Sequence, residues 1–458
     1  MKNFSKVSWI IALTAVLVFT MIACEEESTY IITFDANGGS VTPANAVTGK
    51  DGRLASLPTP IYAQWTEHTY YIIFNANGGQ VSPLDSYTIA GRRLESLPTP
   101  TRSGYIFSGW WTDETDGTEI TTSTVFTENT TVYARWETGV AVPGDNLIEK
   151  LDWLPRNAES HGVYYIDITA DETIPPRTLS YSGAINITIH LRGIGGNRTI
   201  MLDTNSFMFR VNTNVTFVLG NNITLKGHSQ NTASMVDVFG GIFIMNTGSA
   251  IIDNSYSGVY VDTGTFTMND GTLSGNGHGV WMGGGTFTMN GGAISDNIAG
   301  NGAGVYVNSG TFTMNEGTIS DNTATDYGGG VYLNYGTFIM NNGTISGNRA
   351  TSGGGVYIYS GTFNMRGGTI DGNTAREYGG GVWHRENYYG AFTKTGGTIT
   401  GYNTTTGGNV VRDNEGVLAR RGHAVYVNAV FVEDKRKETT AGPSVNLSSE
   451  RSSTANWD

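Results

Sequence analysis

Six aromatic residues, Tyr260, Trp281, Tyr306, Tyr332, Tyr357 and Trp383, stand at one position of successive repeats, each the centre of a short run such as Val305-Tyr306-Val307. Tyr426 extends the row. Aligned rings on a protein surface stack on sugars or pack against a protein partner, which makes this row the candidate ligand contact. The same rings could instead stabilise a sheet through cross-strand pairing. Asp296 and Asp321 are equivalent residues of consecutive repeats. Carboxylates one repeat apart could lie about 5 Å from each other, the separation used in retaining glycoside hydrolysis. Yet Gly275, Gly347 and Gly372 hold that position elsewhere, which reads as a turn needing left-handed backbone, and no catalytic residue is assigned. Asp371 belongs to the serine row and does not extend the pair. Asn276, Asn297, Asn322, Asn348 and Asn373 form the next row, read as a structural amide ladder.

The remaining chemistry-bearing residues are sparse. The seven histidines, His68, His161, His190, His228, His278, His384 and His423, show no zinc-binding His-Glu-x-x-His spacing. There is one cysteine, Cys24, so neither an intrachain disulfide nor a cysteine-based metal site can form. Gly328-Gly329-Gly330 and its equivalents recur as turns and open no phosphate-cradling helix. No metal and no cofactor are expected. His384-Arg385-Glu386-Asn387-Tyr388-Tyr389 interrupts the repeat and is either a recognition loop or an inert insertion.

These rows are positioned by a periodic unit, clearest in residues 304–322. Its Phe-x-Met centre recurs at Phe243, Phe266, Phe287, Phe312, Phe338 and Phe363, at intervals of 23, 21, 25, 26 and 25 residues. Three short strands fit each unit, here Val305-Tyr-Val307, Phe312-Thr-Met314 and Thr318-Ile-Ser320, separated by glycine and asparagine. Alternation puts Val305, Val307, Phe312, Met314 and Ile319 on one face and Tyr306, Thr313 and Ser320 on the other. One such unit cannot bury its apolar face, but units stacked at the inter-strand spacing of ~4.8 Å enclose a continuous dry column. A right-handed parallel β-helix solenoid is therefore expected over residues 152–432, with less regular opening coils. Residues 433–458, rich in charge from Glu433 to Glu438, suit a cap or tail.

The N-terminal third is organised differently. Tyr30-Ile-Ile-Thr-Phe-Asp-Ala-Asn-Gly-Gly39 and Tyr70-Tyr-Ile-Ile-Phe-Asn-Ala-Asn-Gly-Gly79 begin two related segments, both continuing to Leu-Pro-Thr-Pro and ending in Tyr-Ala-x-Trp. The second also contains Ser103-Gly-Tyr-Ile-Phe-Ser-Gly-Trp110. Residues 70–136 resemble the internalin B-type, or Listeria-Bacteroides, repeat over its whole length. That resemblance implies a small β-grasp-like module used as a spacer or adhesive unit on bacterial surfaces. The first copy lacks the Gly-Tyr-x-Phe-x-Gly-Trp centre, so 24–69 reads as an acidic linker with a truncated repeat. The Asn-Gly pairs at 37–38 and 77–78 fit hairpin turns, and 137–151 reads as a linker. The later Gly-Gly-Thr-Ile-Ser-Gly-Asn-type units also resemble repeats of polymorphic outer-membrane adhesins and the pectin-lyase-like β-helix superfamily.

Residues 1–23 have a basic start at Lys2 and Lys6 and an apolar run from Val7 to Ala23, the layout of a secretory signal peptide. Met21-Ile-Ala-Cys24 followed by Glu25-Glu-Glu27 resembles a lipobox, which implies lipidation of Cys24 and attachment to membrane through that lipid. Net charge is −13, and removing the two lysines of the leader leaves −15, which disfavours nucleic acid as a partner. Charged residues are only 15% of the chain and glycines number 63, as suits a turn-rich, all-β protein. The expected fold class is thus all-β, a small β-grasp-like repeat module followed by a right-handed parallel β-helix solenoid. The expected function is that of a lipid-anchored cell-envelope protein at the outer membrane or cell surface, adhesive towards a glycan or protein ligand and non-catalytic. Polysaccharide lyase or glycoside hydrolase activity, and a purely structural spacer role, are the alternatives.

Overall fold

The computed structural model describes residues 69–429, other than 90, 103–104, 195, 387–389, 403–407, 414 and 417–421, together with the short strands Ile31–Thr33, Asn45–Val47 and Lys435–Lys437. Cys24, the leader, most of 24–69 and nearly all of 433–458 lie outside the described residues. The chain divides into two compact units at Glu137/Thr138. Among the described residues no helix is long and apolar enough to cross a membrane.

The first unit is a five-stranded sheet with strands in the order Asp85–Tyr87, Tyr71–Asn75, Thr130–Thr138, Tyr105–Trp111 and Glu119–Ile120. Ile72, Phe74, Leu94, Trp110, Ile120, Phe126, Val132 and Ala134 form its core. Trp110, the last residue of the Gly-Tyr-x-Phe-x-Gly-Trp motif, packs against Phe74 and Phe107 and donates its indole N–H to the Pro98 carbonyl at 2.7 Å. The motif is thus a core anchor, with the polar end of its indole satisfied. Asn77 and Gly78 have φ of 45° and 84°, the turn that an Asn-Gly pair favours. The connection from Asn75 to Asp85 is longer than a two-residue hairpin.

The second unit is a parallel β-solenoid of about ten turns. Three long sheets run its length, two of them named by their inward Phe and Ile residues and the third by its outward Tyr row. The Phe sheet runs from Val140–Ala141 to Ala391–Lys394, the Ile sheet from Glu172–Ile174 to Thr398–Ile399, and the Tyr sheet from Arg177–Leu179 to Val425–Ala429. Within the periodic coils every inward position meets its counterpart one coil on: Phe287 with Phe312, Met289 with Met314, Ile294 with Ile319 and Val280 with Val305. All of these are fully buried. From Phe266 to Phe363 the phenyl rings stack with centroids 4.7 Å apart and planes within 8° of parallel. That distance is the strand spacing itself, so the core is a column of identical layers.

Three expectations need correction. A unit was expected to hold three strands, but from Ile298 onward each coil has a fourth; Ile298–Asn301, Thr323–Tyr327, Arg349–Ser352, Thr374–Tyr378 and Val410–Val411 make a five-stranded sheet of their own. The longer repeat intervals hold it, and the small side chains of Ala299, Ala324 and Ala350 let it pack close. The segment 137–151, read as a linker, contributes the strand Val140–Ala141 and the start of the helix Leu147–Asn157. Asn146 caps that helix by accepting from the Glu149 N–H at 2.9 Å, while the Glu149 carboxylate accepts from the Asp145 N–H at 2.9 Å, so side chains satisfy backbone donors at the helix start. Its Leu147, Leu151 and Leu154 are buried in the core of the first coil with Tyr164 and Ile166, closing that end of the column. Finally, His384 to Glu386 do not interrupt the repeat, because His384 continues a strand in register with Ile358 and Val427. Residues 387–389 lie outside the described residues. At the far end Lys435–Lys437 pairs antiparallel with Val425–Val427.

Candidate ligand-contact stripe

The aromatic row is aligned by the Tyr sheet: Tyr260 pairs with Trp281, then Tyr306, Tyr332, Tyr357, Trp383 and Tyr426 follow in unbroken register. Each ring is flanked in sequence by residues that face the core, such as Val305 and Val307, so strand alternation forces it outward. The row continues upstream through Asp237 and Arg210. These two were missed although Val236-Asp-Val238 and Phe209-Arg-Val211 carry the same apolar-x-apolar signature. They form an ion pair at 2.8 Å, with the Arg210 guanidinium over the rings of Phe207 and Phe239. Burial raises the Asp237 carboxyl above its usual range despite that partner.

The row was expected to be solvent-facing throughout, and half of it is not. Tyr332, Tyr357, Trp383 and Tyr426 are 9%, 6%, 8% and 7% exposed, whereas Tyr260, Trp281 and Tyr306 remain partly exposed. The fourth strand makes the difference. Tyr327 stacks on Tyr357 at 4.6 Å and Tyr378 meets Tyr426 at 4.6 Å, both from that added sheet, while Tyr359 packs on the same cluster. Burial accordingly holds the Tyr332 and Tyr357 phenols far above their ordinary range.

Ring geometry divides the row at the same place. From Tyr306 to Trp383 successive rings are parallel, 5.0, 5.4 and 4.1 Å apart with interplanar angles of 20°, 13° and 6°. Each face there is covered by the next ring, so no planar ligand can stack on it. Tyr260, Trp281 and Tyr306 meet edge to face at 5.8 and 5.7 Å, with angles of 70° and 75°, an arrangement in which a ring does not cover its neighbour's whole face. Tyr256 and His278 join this end, each 5.5 Å from the Trp281 ring. Neither was singled out as a contact residue, since Tyr256 lies in a corner of the coil and His278 at the start of a strand, both outside the periodic row.

The other polar rows behave as structure. Asn254, Asn276, Asn297, Asn322, Asn348, Asn373 and Asn409 are all buried, and from Asn254 to Asn373 each main-chain N–H donates to the amide oxygen of the next asparagine in the row, at 2.9–3.2 Å. Asp296 and Asp321 have φ of 57° and 56°, and their row mates Gly275, Gly347 and Gly372 lie between 64° and 67°. That row is filled by residues able to hold left-handed backbone. Among the described residues no three histidine, cysteine, aspartate or glutamate side chains group as metal ligands.

Residues 70–135 match the family model of the Listeria-Bacteroides repeat domain. The match covers the five-stranded sheet of the first unit nearly to its end, and Trp110 of that stretch is in its core. No curated protein and no solved structure matches the chain significantly. The Listeria-Bacteroides repeat domain followed by a parallel β-solenoid is consistent with a surface repeat protein.

Proposed function

We propose that this is a non-catalytic, adhesive surface protein, anchored by lipid on Cys24, that binds its ligand through the solvent-facing half of the aromatic stripe. The observation that carries the reading is the unbroken register of Tyr260, Trp281 and Tyr306 with their rings at right angles and partly exposed. A rigid solenoid holds these rings in place before any ligand arrives, which lowers the ordering cost of binding. The Listeria-Bacteroides repeat domain lies between the anchor and the solenoid in sequence and serves as a spacer. The stacked half of the row favours a second reading, in which all the rings only stabilise the sheet and the protein is an envelope spacer.

Two sets of substitutions separate these readings. Tyr260→Ser, Trp281→Ser and Tyr306→Ser together are expected to abolish retention on an immobilised ligand while leaving the unfolding midpoint nearly unchanged. Tyr332→Ser, Tyr357→Ser and Trp383→Ser together are expected to destabilise the solenoid. If the first set unfolds the protein as the second does, the spacer reading stands. Ligands are screened from polysaccharides and matrix proteins, scoring retention and cleaved products together; turnover lost in Asp296→Asn or Asp321→Asn would replace adhesion with glycoside hydrolysis. Lipid labelling that survives Cys24→Ser would remove the anchor from the proposal.

A further inference from the structure

The coils differ in how they turn from the Ile sheet to the Tyr sheet. That corner comprises residues 227–235 in one coil, then only 253–256 and 275–277, and then 296–304, 321–330, 347–355 and 372–381. The two short corners are the same coils whose Phe-to-Phe intervals are 23 and 21 residues. Where the chain cuts its corner the surface is set back, and at ~4.8 Å per coil the recess is about 10 Å wide along the axis. One wall is the segment 227–235, which leans over the first short corner through hydrogen bonds from the Ser255 N–H to the His228 carbonyl at 3.2 Å and from the Asn231 amide to Asn254 at 2.8 Å. The other wall is Ile298–Asn301, the edge strand of the fourth sheet, which pairs with a strand on one side only.

The recess ends against the exposed part of the aromatic stripe. Tyr256, His278 and Trp281 are in mutual ring contact at its base, and Ile298 on the wall is 66% exposed. A Cβ added at Gly300 would meet only the Asp326 carboxylate, at 3.8 Å, so the space beside that wall is open. Three buried polar atoms at this place, Ser257 Oγ, His278 Nδ1 and Asn301 Oδ1, have no hydrogen-bond partner within the protein. Ser257 and His278 are neighbours in register, and the His278 ring bonds the Asn301 backbone. Buried polar atoms are rarely left without partners, so their concentration here marks polar capacity that the fold itself does not use. The charged groups around the recess are mostly acidic, Asp253, Asp296 and Asp326, with Lys226 3.4 Å from Asp253 and Arg210 paired at 2.8 Å with Asp237, which lies near Tyr256.

From these features we infer that the recess is the primary ligand subsite and that it takes an uncharged sugar unit of a polysaccharide. Aromatic rings supply stacking for the apolar face of a sugar, carboxylates and backbone groups accept and donate to its hydroxyls, and the acidic rim repels uronic or sialic acids. Its width along the axis suits one or two sugar rings, and the stripe of Tyr260 and Tyr306 continues the platform for the rest of the chain. The inference rests on the reading of the solenoid as a binding protein and adds to it both a place and a ligand class.

The test uses the full chain and measures affinity for a neutral β-glucan, a mannan and a galactan against polygalacturonate. Gly300→Tyr fills the recess from its open wall without entering the core, and Tyr256→Ala removes part of the base. Both are expected to weaken binding to a neutral polysaccharide by about tenfold or more, whereas Tyr335→Ala, at an exposed ring away from the recess, leaves it unchanged. Binding that survives Gly300→Tyr but is lost in the triple Tyr260, Trp281 and Tyr306 variant would overturn the recess and keep the stripe. Preference for polygalacturonate, or binding only to proteins, would overturn the sugar class. Failure to retain any polysaccharide or matrix protein would overturn the binding reading and this inference with it.

Discussion

Replacing Asn322 with alanine tests whether the buried amide ladder, rather than stacked apolar layers alone, holds successive coils in register. The Asn322 amide oxygen accepts from the Asn297 main-chain N–H at 3.1 Å and from its side-chain amide at 2.8 Å. Its own amide donates to Asn348 Oδ1 at 2.9 Å and to the Ile294 carbonyl at 3.0 Å. Alanine removes all four bonds. Two buried donors of Asn297 lose this acceptor, although its side-chain amide keeps the Leu273 carbonyl at 3.1 Å. At ~1–3 kcal/mol for each buried group left unsatisfied, the loss is about 2–6 kcal/mol. A matched control exists in the exposed ladder of the same solenoid, where Asn290 donates to Asn269 at 2.9 Å and accepts from Asn315 at 2.8 Å. Water replaces those partners, so Asn290→Ala should cost no more than about 0.5 kcal/mol. Urea unfolding of both variants gives the difference. Hydrogen exchange locates it, because coils contact only their neighbours and protection should fall first between residues 273 and 348. If the two substitutions agree within about 0.5 kcal/mol, the ladder adds nothing that solvent does not.

Other consequences follow from the same structure. Phe312→Ala opens a gap in a column where both neighbouring rings sit 4.7 Å away and should cost about 3–5 kcal/mol in urea unfolding; a loss below about 1 kcal/mol would mean that the column collapses freely. In the first unit a Cβ at Gly79 would run into the Trp136 ring and lie 2.7 Å from the Thr101 carbonyl. Gly79→Ala should therefore lower that unit's unfolding midpoint by overpacking worth about 1–3 kcal/mol, and an unchanged midpoint would refute the close approach. Burial pushes His190, His278 and His384 down to about 4. Their unfolded value is about 6.5, so the unfolded chain takes up protons first. The contribution of these neutral imidazoles is complete above pH 6.5 and is lost as pH falls towards 4, by up to about 3 kcal/mol for each. Asp237, held above its usual range, works in the opposite sense. A midpoint that does not fall between pH 7 and 5 would contradict the buried, neutral state of these histidines.

Repetition made the solenoid legible in the sequence. Val305, Val307, Phe312, Met314 and Ile319 alternate with polar residues at a fixed interval, and the period itself specifies that each meets its own copy one coil away. The asparagine row and the left-handed turn positions could be read for the same reason, since glycine, asparagine and aspartate interchange where backbone conformation is the constraint. The end cap was also written locally, in Asp145-Asn146-Leu-Ile-Glu149, but a single helix among tens of strands carries no periodic signal and the segment looked like a linker.

Which side chains face outward is legible from residue order, because strand alternation is a property of the local backbone. Which of those outward residues remain in solvent depends on the stacking of whole coils. Tyr306 and Tyr357 are indistinguishable by position in their repeats, yet the fourth sheet places Tyr327 over Tyr357 and leaves Tyr306 partly exposed. Exposure depends on what other coils place above a ring, and corner length, which sets that, is independent of the strand pattern. The recess between the long corners at 227–235 and 296–304 arises in the same way, from two short corners whose effect appears only when the coils are stacked.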